Sequence, residues 1–199
     1  MGKSIIKIFL IAAMLLAGAA QSPPVWAQSA ELIGAFKQSQ TLYKQRKYTE
    51  AITFAQTSIA LAKKEFGEDH QHYANCLNNL GLLYHAQARY ADAEPLYKRS
   101  LAIKEKALGP NHPGVATGLN NLANLYQAQG RYAAAEPLYK RSLAIWEKAL
   151  GPNHPNVAQS LNNLAELYRA QARYADAEPL YKRSLAIKEK ALGPNHSDV

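Results

Sequence analysis

Four histidines, His70, His112, His154 and His196, have the side chain best suited to hold a metal, and Ser100, Ser142 and Ser184 have one suited to nucleophilic attack. The histidines recur at a fixed spacing of 42 residues, in the phrase Gly-Pro-Asn-His or its relative Gly67-Glu68-Asp69-His70. Side chains that occur once per packed helical unit stand about 10 Å apart. Zinc holds its nitrogen ligands at about 2 Å, so two such imidazoles cannot share one ion. A structural role in the loops follows. The serines recur on an apolar helical stripe, which is a small-residue packing slot. Glu94, Glu136 and Glu178 each precede a proline in a first helical turn, where the helix dipole favours negative charge. Cys76 is the only cysteine. It stands where later copies carry Gly118 and Ser160, a small half-buried or buried slot, and it can form no intramolecular disulfide. The chain has no glycine-rich phosphate loop, no Cys/His ligand spacing and no nucleophile–base–acid constellation. The expectation is a non-catalytic protein without metal or cofactor.

The elements that would position these side chains are copied along the chain. Leu77-Asn78-Asn79-Leu80 returns as Leu119-Asn120-Asn121-Leu122 and as Leu161-Asn162-Asn163-Leu164, and Arg89-Tyr90 returns as Arg131-Tyr132 and Arg173-Tyr174. Between 77–118 and 119–160, 33 of 42 positions are identical. A unit of this length cannot bury its apolar face alone, so copies must stack. Leu119, Leu122, Ala123 and Tyr126 fall at i, i+3, i+4 and i+7, one face of an α-helix. Pro113 suits its first position, His112 a cap and Gly130 its end. A second helix starts near Ala133 and carries Ala135, Leu138, Tyr139, Ser142, Leu143 and Ile145 inward. Leu150-Gly151-Pro152 stops it. Upstream, 31–70 repeats the pattern in worn form, as a terminal unit exposed to water does. The reading is therefore an all-α solenoid: 28–76 a divergent first unit, 77–118 the second, 119–160 the third and 161–199 the fourth, its end uncapped.

Residues 1–27 read as an export signal: Lys3 and Lys7, then an apolar run from Ile8 to Ala20, then Val25-Trp26-Ala27 before Gln28. The run is too short for the roughly 20 helical residues that span a bilayer. Cleavage after Ala27 would give a periplasmic or secreted protein with no stable membrane anchor. Of the formal charge of +8, +6 would remain, spread over all four units with acids interleaved. A nucleic-acid footprint needs a one-sided basic stripe, so nucleic acid is not expected as a partner. The doublets Lys98-Arg99, Lys140-Arg141 and Lys182-Arg183 leave a weak preference for anionic partners open.

The order Leu119, Leu122, Ala123, Tyr126, Gly130, Tyr132, Ala135, Tyr139 and Ser142 resembles the tetratricopeptide repeat family. The eight-residue longer unit, with its Leu-Asn-Asn-Leu and Gly-Pro-Asn-His-Pro phrases, looks like the kinesin-light-chain form of that repeat. The resemblance covers about 31–199. It implies a right-handed α-solenoid whose first helices line a concave groove for a protein or peptide partner. Groove positions carried onto this sequence are Asn78, Asn79, Leu82 and His85 in the second unit, Asn120, Asn121, Asn124 and Gln127 in the third, and Asn162, Asn163, Glu166 and Arg169 in the fourth. Amides suit the task because each offers donor and acceptor to an extended backbone. The same asparagines would equally serve hydrogen bonds between units or solvate the face. Variation at Leu82/Asn124/Glu166 and His85/Gln127/Arg169 would set partner preference, and neutral drift after duplication explains it as well. Trp146, where neighbouring units have Lys104 and Lys188, is expected to pack over the second helix.

The function expected is a passive binding scaffold. One alternative is the recognition arm of a larger protease or signalling protein. Another is a self-assembling module that associates through the exposed C-terminal end, where Ser197 stands in place of Pro113 and Pro155.

Overall fold

The computed structural model describes residues 25–192, and among them every regular element is α-helical. Eight helices follow in pairs: α1 (Val25–Lys44) with α2 (Tyr48–Phe66), α3 (Gln71–Ala86) with α4 (Tyr90–Leu108), α5 (Pro113–Ala128) with α6 (Tyr132–Leu150), and α7 (Pro155–Ala170) with α8 (Tyr174–Leu192). Most of the export signal, residues 1–24, lies outside the described residues, as does His196. α1 begins at Val25, so cleavage after Ala27 would fall in its first turn.

The starts of α3, α5 and α7 are capped by a histidine side chain. His112 holds extended backbone and its Nδ1 accepts from the Gly114 N–H at 3.0 Å, while Pro113 opens α5 without wasting a donor. His154 caps α7 through the Asn156 N–H and His70 caps α3 through the His72 N–H, at 3.1 and 3.2 Å. The recurring histidines therefore serve as N-caps. Each first helix ends in a left-handed residue. Glycine fills that place in Gly130 (φ 72°), but Ala88 and Ala172 adopt it at φ 57°.

The interior is continuous from pair to pair. Tyr97, Tyr139, Leu122, Leu125, Leu164 and Leu167 form its centre, and Ala93, Ala135 and Ala177 supply the small faces between them. The serine slot is more than small. Ser100, Ser142 and Ser184 donate across each pair to the carbonyls of Ala74, Ala116 and Ala158 at 2.7, 2.9 and 2.8 Å. Trp146 is half-buried and packs against Val115 and Leu119 on one side and Val157 and Leu161 on the other. It fills the seam between the third and fourth pairs.

Successive pairs are tied by polar clamps. Arg131 lies over the Tyr126 ring at 4.0 Å and donates to Glu94 at 2.8 Å, and the Tyr126 hydroxyl donates to the same carboxylate at 3.1 Å. Arg173, Tyr168 and Glu136 repeat this one unit on. Arg141 and Arg183 reach back to Glu105 and Glu147. Glu94 and Glu136, placed by the dipole argument, therefore also join units. The backbones of successive first helices approach one another, α1 to α3, α3 to α5 and α5 to α7, whereas successive second helices meet only through long side chains such as Arg141 and Glu105. A stack whose first helices crowd and whose second helices splay must curve with the first helices inside.

Candidate functional site

The inner wall is built by α3, α5 and α7. Asn121 Nδ2 donates to Asn78 Oδ1 at 3.0 Å, and Asn163 Nδ2 donates to Asn120 Oδ1 at 2.8 Å. Asn163 Oδ1 accepts in turn from Gln159 at 2.9 Å. The paired asparagines thus form a ladder that stitches one first helix to the next. This is the inter-unit role left open by the sequence. The ladder consumes one amide group per residue. The Asn78 and Asn120 N–H₂ groups, and the whole Asn162 amide, keep no protein partner among the described residues. Asn79 departs from the groove expectation. It is buried, 6% exposed, and donates to Ser39 of α1 at 2.8 Å.

In the third and fourth units the varying positions meet a tyrosine of the second helix, whereas in the second unit the His85 ring lies 5.6 Å from Tyr90. The Tyr139 hydroxyl lies 2.5 Å from Asn124 Oδ1 and 2.7 Å from Gln127 Oε1. A hydroxyl has one proton, so it donates to one amide and accepts an N–H from the other, with that amide turned over. In the fourth unit the Tyr181 hydroxyl donates to Glu166 Oε1 at 2.5 Å, while Arg169 donates to Glu166 Oε2 through Nε at 2.9 Å. The Tyr181 hydroxyl, followed by Arg169, holds the Glu166 carboxyl below the usual carboxylate range. In the second unit the partner is missing. Leu82 cannot accept, and the buried Tyr97 hydroxyl is unpaired. Gly81 stands where the later units have Ala123 and Ala165, and a Cβ there would lie 2.9 Å from the Tyr97 ring as it sits. Burial pushes the Tyr97 and Tyr139 phenols well up, and it holds the half-buried His85 imidazole below its ordinary value.

These groups enclose a depression of about 380 Å³ lined by His85, Asn124, Gln127, Tyr139, Asn163 and Glu166. A smaller hollow of about 210 Å³ joins Thr117, Asn120, Asn156 and Gln159 to Trp146. The wall thus brings together side chains from three helix pairs, and Asn79 stays outside it. The sequence expects Tyr139 to fill space between helices. The Tyr139 and Tyr181 hydroxyls also reach the wall, and no sequence signal marks this, because the tyrosines are the same in every copy. At the other end, an apolar hollow of about 380 Å³ lies among Leu32, Ile33, Phe36, Phe66 and Cys76. Cys76 is buried, and burial raises its thiol above the ordinary value. Among the described residues no group of three or more His, Cys, Asp or Glu side chains is placed to hold a metal ion.

The sequence model described as tetratricopeptide repeat matches residues 34–106, 89–140 and 114–190. None of the curated protein sequences is similar to this chain. Among solved structures it is similar to BtubC (BKLC) from P. vanneervenii, with a TM-score of 0.71 and 22% identity, covering 81% of this chain and 64% of that one. It is also similar to a Podosopora anserina kinesin light chain with nearly identical TPR-like repeats, with a TM-score of 0.66 and 24% identity, covering 94% and 85%. A third likeness is to aspartyl phosphate phosphatase F of Bacillus subtilis, with a TM-score of 0.71 and 17% identity, covering 81% and 41%. The chain thus spans less than two thirds of BtubC and of the phosphatase, and these likenesses concern the fold. Stacked helix pairs, a first-helix inner wall and a family match running from residue 34 to residue 190 lead to one conclusion: this chain belongs to the tetratricopeptide repeat family.

Proposed function

We propose that this chain is a non-catalytic scaffold that holds a peptide or helical segment of another protein against the wall formed by α3, α5 and α7. The observation that carries this reading is the row of amides with unused hydrogen-bonding groups, Asn78, Asn120 and Asn162, flanking the Tyr139 depression. A wall of fixed donors on rigid helices binds an extended segment at low ordering cost on its own side. Hydrogen–deuterium exchange with a bound segment selected from a displayed peptide library tests it. Protection concentrated in α3, α5 and α7, lost in a Thr117→Trp variant that fills the wall, is expected. Protection confined to α4, α6 and α8 would remove the wall from the mechanism.

A second reading has its own support at α8. Leu185 is 41% exposed, whereas the corresponding Leu101 and Leu143 are partly buried. The Glu178 side chain is 65% exposed and paired with Lys182, while Glu94 and Glu136 are 21% exposed and clamped by the following unit. This flank suits another helical unit, from a second copy or a longer chain that this one serves as recognition arm. Sedimentation against concentration checks the second-copy form, and a strictly monomeric protein would count against it.

Export to the periplasm or beyond is part of the proposal, supported by Lys3, Lys7, the apolar run and Ala27. No described helix is long and apolar enough to cross a membrane. N-terminal sequencing of the mature protein should begin at Gln28, and a protein still beginning at Met1 would overturn the assignment.

A further inference from the structure

The protein is basic, with 23 Lys and Arg against 15 Asp and Glu, yet its inner wall is almost without charge. α3 and α5 contain no Asp, Glu, Lys or Arg, and α7 contains one of each sign, Glu166 and Arg169. Those two neutralise each other, with Arg169 Nε donating to Glu166 at 2.9 Å. The remaining charges of these three units sit on α4, α6 and α8 and in the turns, many of them tied into clamps. A ligand laid on the wall meets amides, one imidazole and a self-compensated ion pair.

The depression at Tyr139 is more specific. With the Tyr139 proton given to one amide and an N–H received from the other, Asn124 and Gln127 together keep three N–H donors and one carbonyl acceptor. That set matches a primary amide or a peptide group, which needs both. A carboxylate would find no free cation there and would stand beside the ionised Glu166. A cation would face N–H donors and a carboxylate already shared between Tyr181 and Arg169.

We propose that the depression lined by His85, Asn124, Gln127, Tyr139, Asn163 and Glu166 is a subsite for an uncharged amide. The ligand would be a neutral, extended segment of another protein, presenting an Asn or Gln side chain or a bare peptide group at this point. The inference rests on the wall-binding reading and adds the chemistry of the partner. It also excludes the anionic partner that the net charge suggests. Recognition by neutral groups in a site without net charge depends little on salt, since there is no long-range attraction for ions to screen.

Dodecapeptides displayed on phage and selected against the full chain at 50 and at 500 mM NaCl test this, with affinities measured by fluorescence anisotropy. Both selections should enrich neutral peptides bearing Asn or Gln, with affinity changing less than about twofold between the two salts. Replacing that Gln by Glu or Lys should cost about tenfold, because a charge would be desolvated without a partner. The Asn124→Lys/Gln127→Lys variant should turn the enriched pool toward Asp and Glu. Enrichment of acidic or basic peptides by the wild-type chain, with affinity falling tenfold or more at high salt, would overturn the neutral subsite and leave wall binding standing. Failure to enrich any peptide over the double-lysine variant would overturn both.

Discussion

Tyr97 and Tyr139 occupy equivalent positions, are both almost fully buried, and differ in one respect: the Tyr139 hydroxyl meets Asn124 and Gln127, whereas the Tyr97 hydroxyl meets nothing. Leaving a buried hydroxyl unsatisfied costs about 1–3 kcal/mol, while a satisfied one contributes about 1 kcal/mol net. Tyr97→Phe should therefore be neutral or stabilising, and Tyr139→Phe should destabilise by about 1 kcal/mol. Urea denaturation of the two variants checks this. Equal losses would mean that Tyr97 has a partner. The contrast accompanies two changes, Leu82 in place of Asn124 and His85 in place of Gln127. The sequence shows those changes plainly, but nothing in it says that position 124 faces a tyrosine fifteen residues downstream.

At the scale of the helix, caps and turns carry the local energetics. His112 Nδ1 accepts one of the orphan N–H groups at the start of α5. His112→Ala should cost about 1 kcal/mol and His112→Asn should restore most of it, since Asn is a strong N-cap. Thermal melts of both variants decide the matter; a full-sized loss in the Asn variant would assign His112 a role beyond capping. The left-handed alanines give the opposite sign. Ala172 holds φ 57° where Gly130 holds 72°. Ala172→Gly relieves steric cost in the folded chain and adds freedom to the unfolded one. With the relief at about 1–2 kcal/mol and the entropy at about 0.4–1 kcal/mol, a net gain between about 0 and 1.6 kcal/mol is expected. A lower denaturation midpoint would show that the turn is unstrained. Both features follow from phrases that the sequence repeats, so helix ends were legible to within a residue or two. The period, the proline and the glycine each act through neighbouring backbone.

Over the whole molecule, units are joined by a hydrophobic seam and by Arg–Tyr–Glu clamps. Glu94 and Glu136 have carboxyls held below the ordinary value, first by Lys98 and Lys140 and then by Arg131 and Arg173 with their tyrosines. A lowered folded value means that the ionised form is favoured in the fold. Its contribution is complete above the ordinary glutamate value of about 4.3 and is lost as pH falls through the lower folded value. The melting temperature should therefore stay level through neutrality and drop below about pH 4–5, with a smaller acid drop in Glu94→Gln/Glu136→Gln. Melts from pH 3 to 7 provide the check, and an identical drop in the double variant would show that the clamps are not coupled to folding. These groups are partly exposed, so screening by salt should shrink the effect.

Residue order alone determined that identical helix pairs must stack, where each helix begins and ends, and which residues face inward, because a 42-residue period and a 3.6-residue helical period act over short distances along the chain. Which asparagine amides are spent on the neighbouring unit, which tyrosine hydroxyl is left unpaired, and that the wall is neutral while the charges are tied up elsewhere were decided only by the tertiary structure. Those properties depend on side chains 15 to 43 residues apart meeting across a seam. Identical copies carry no mark of which partner each will meet.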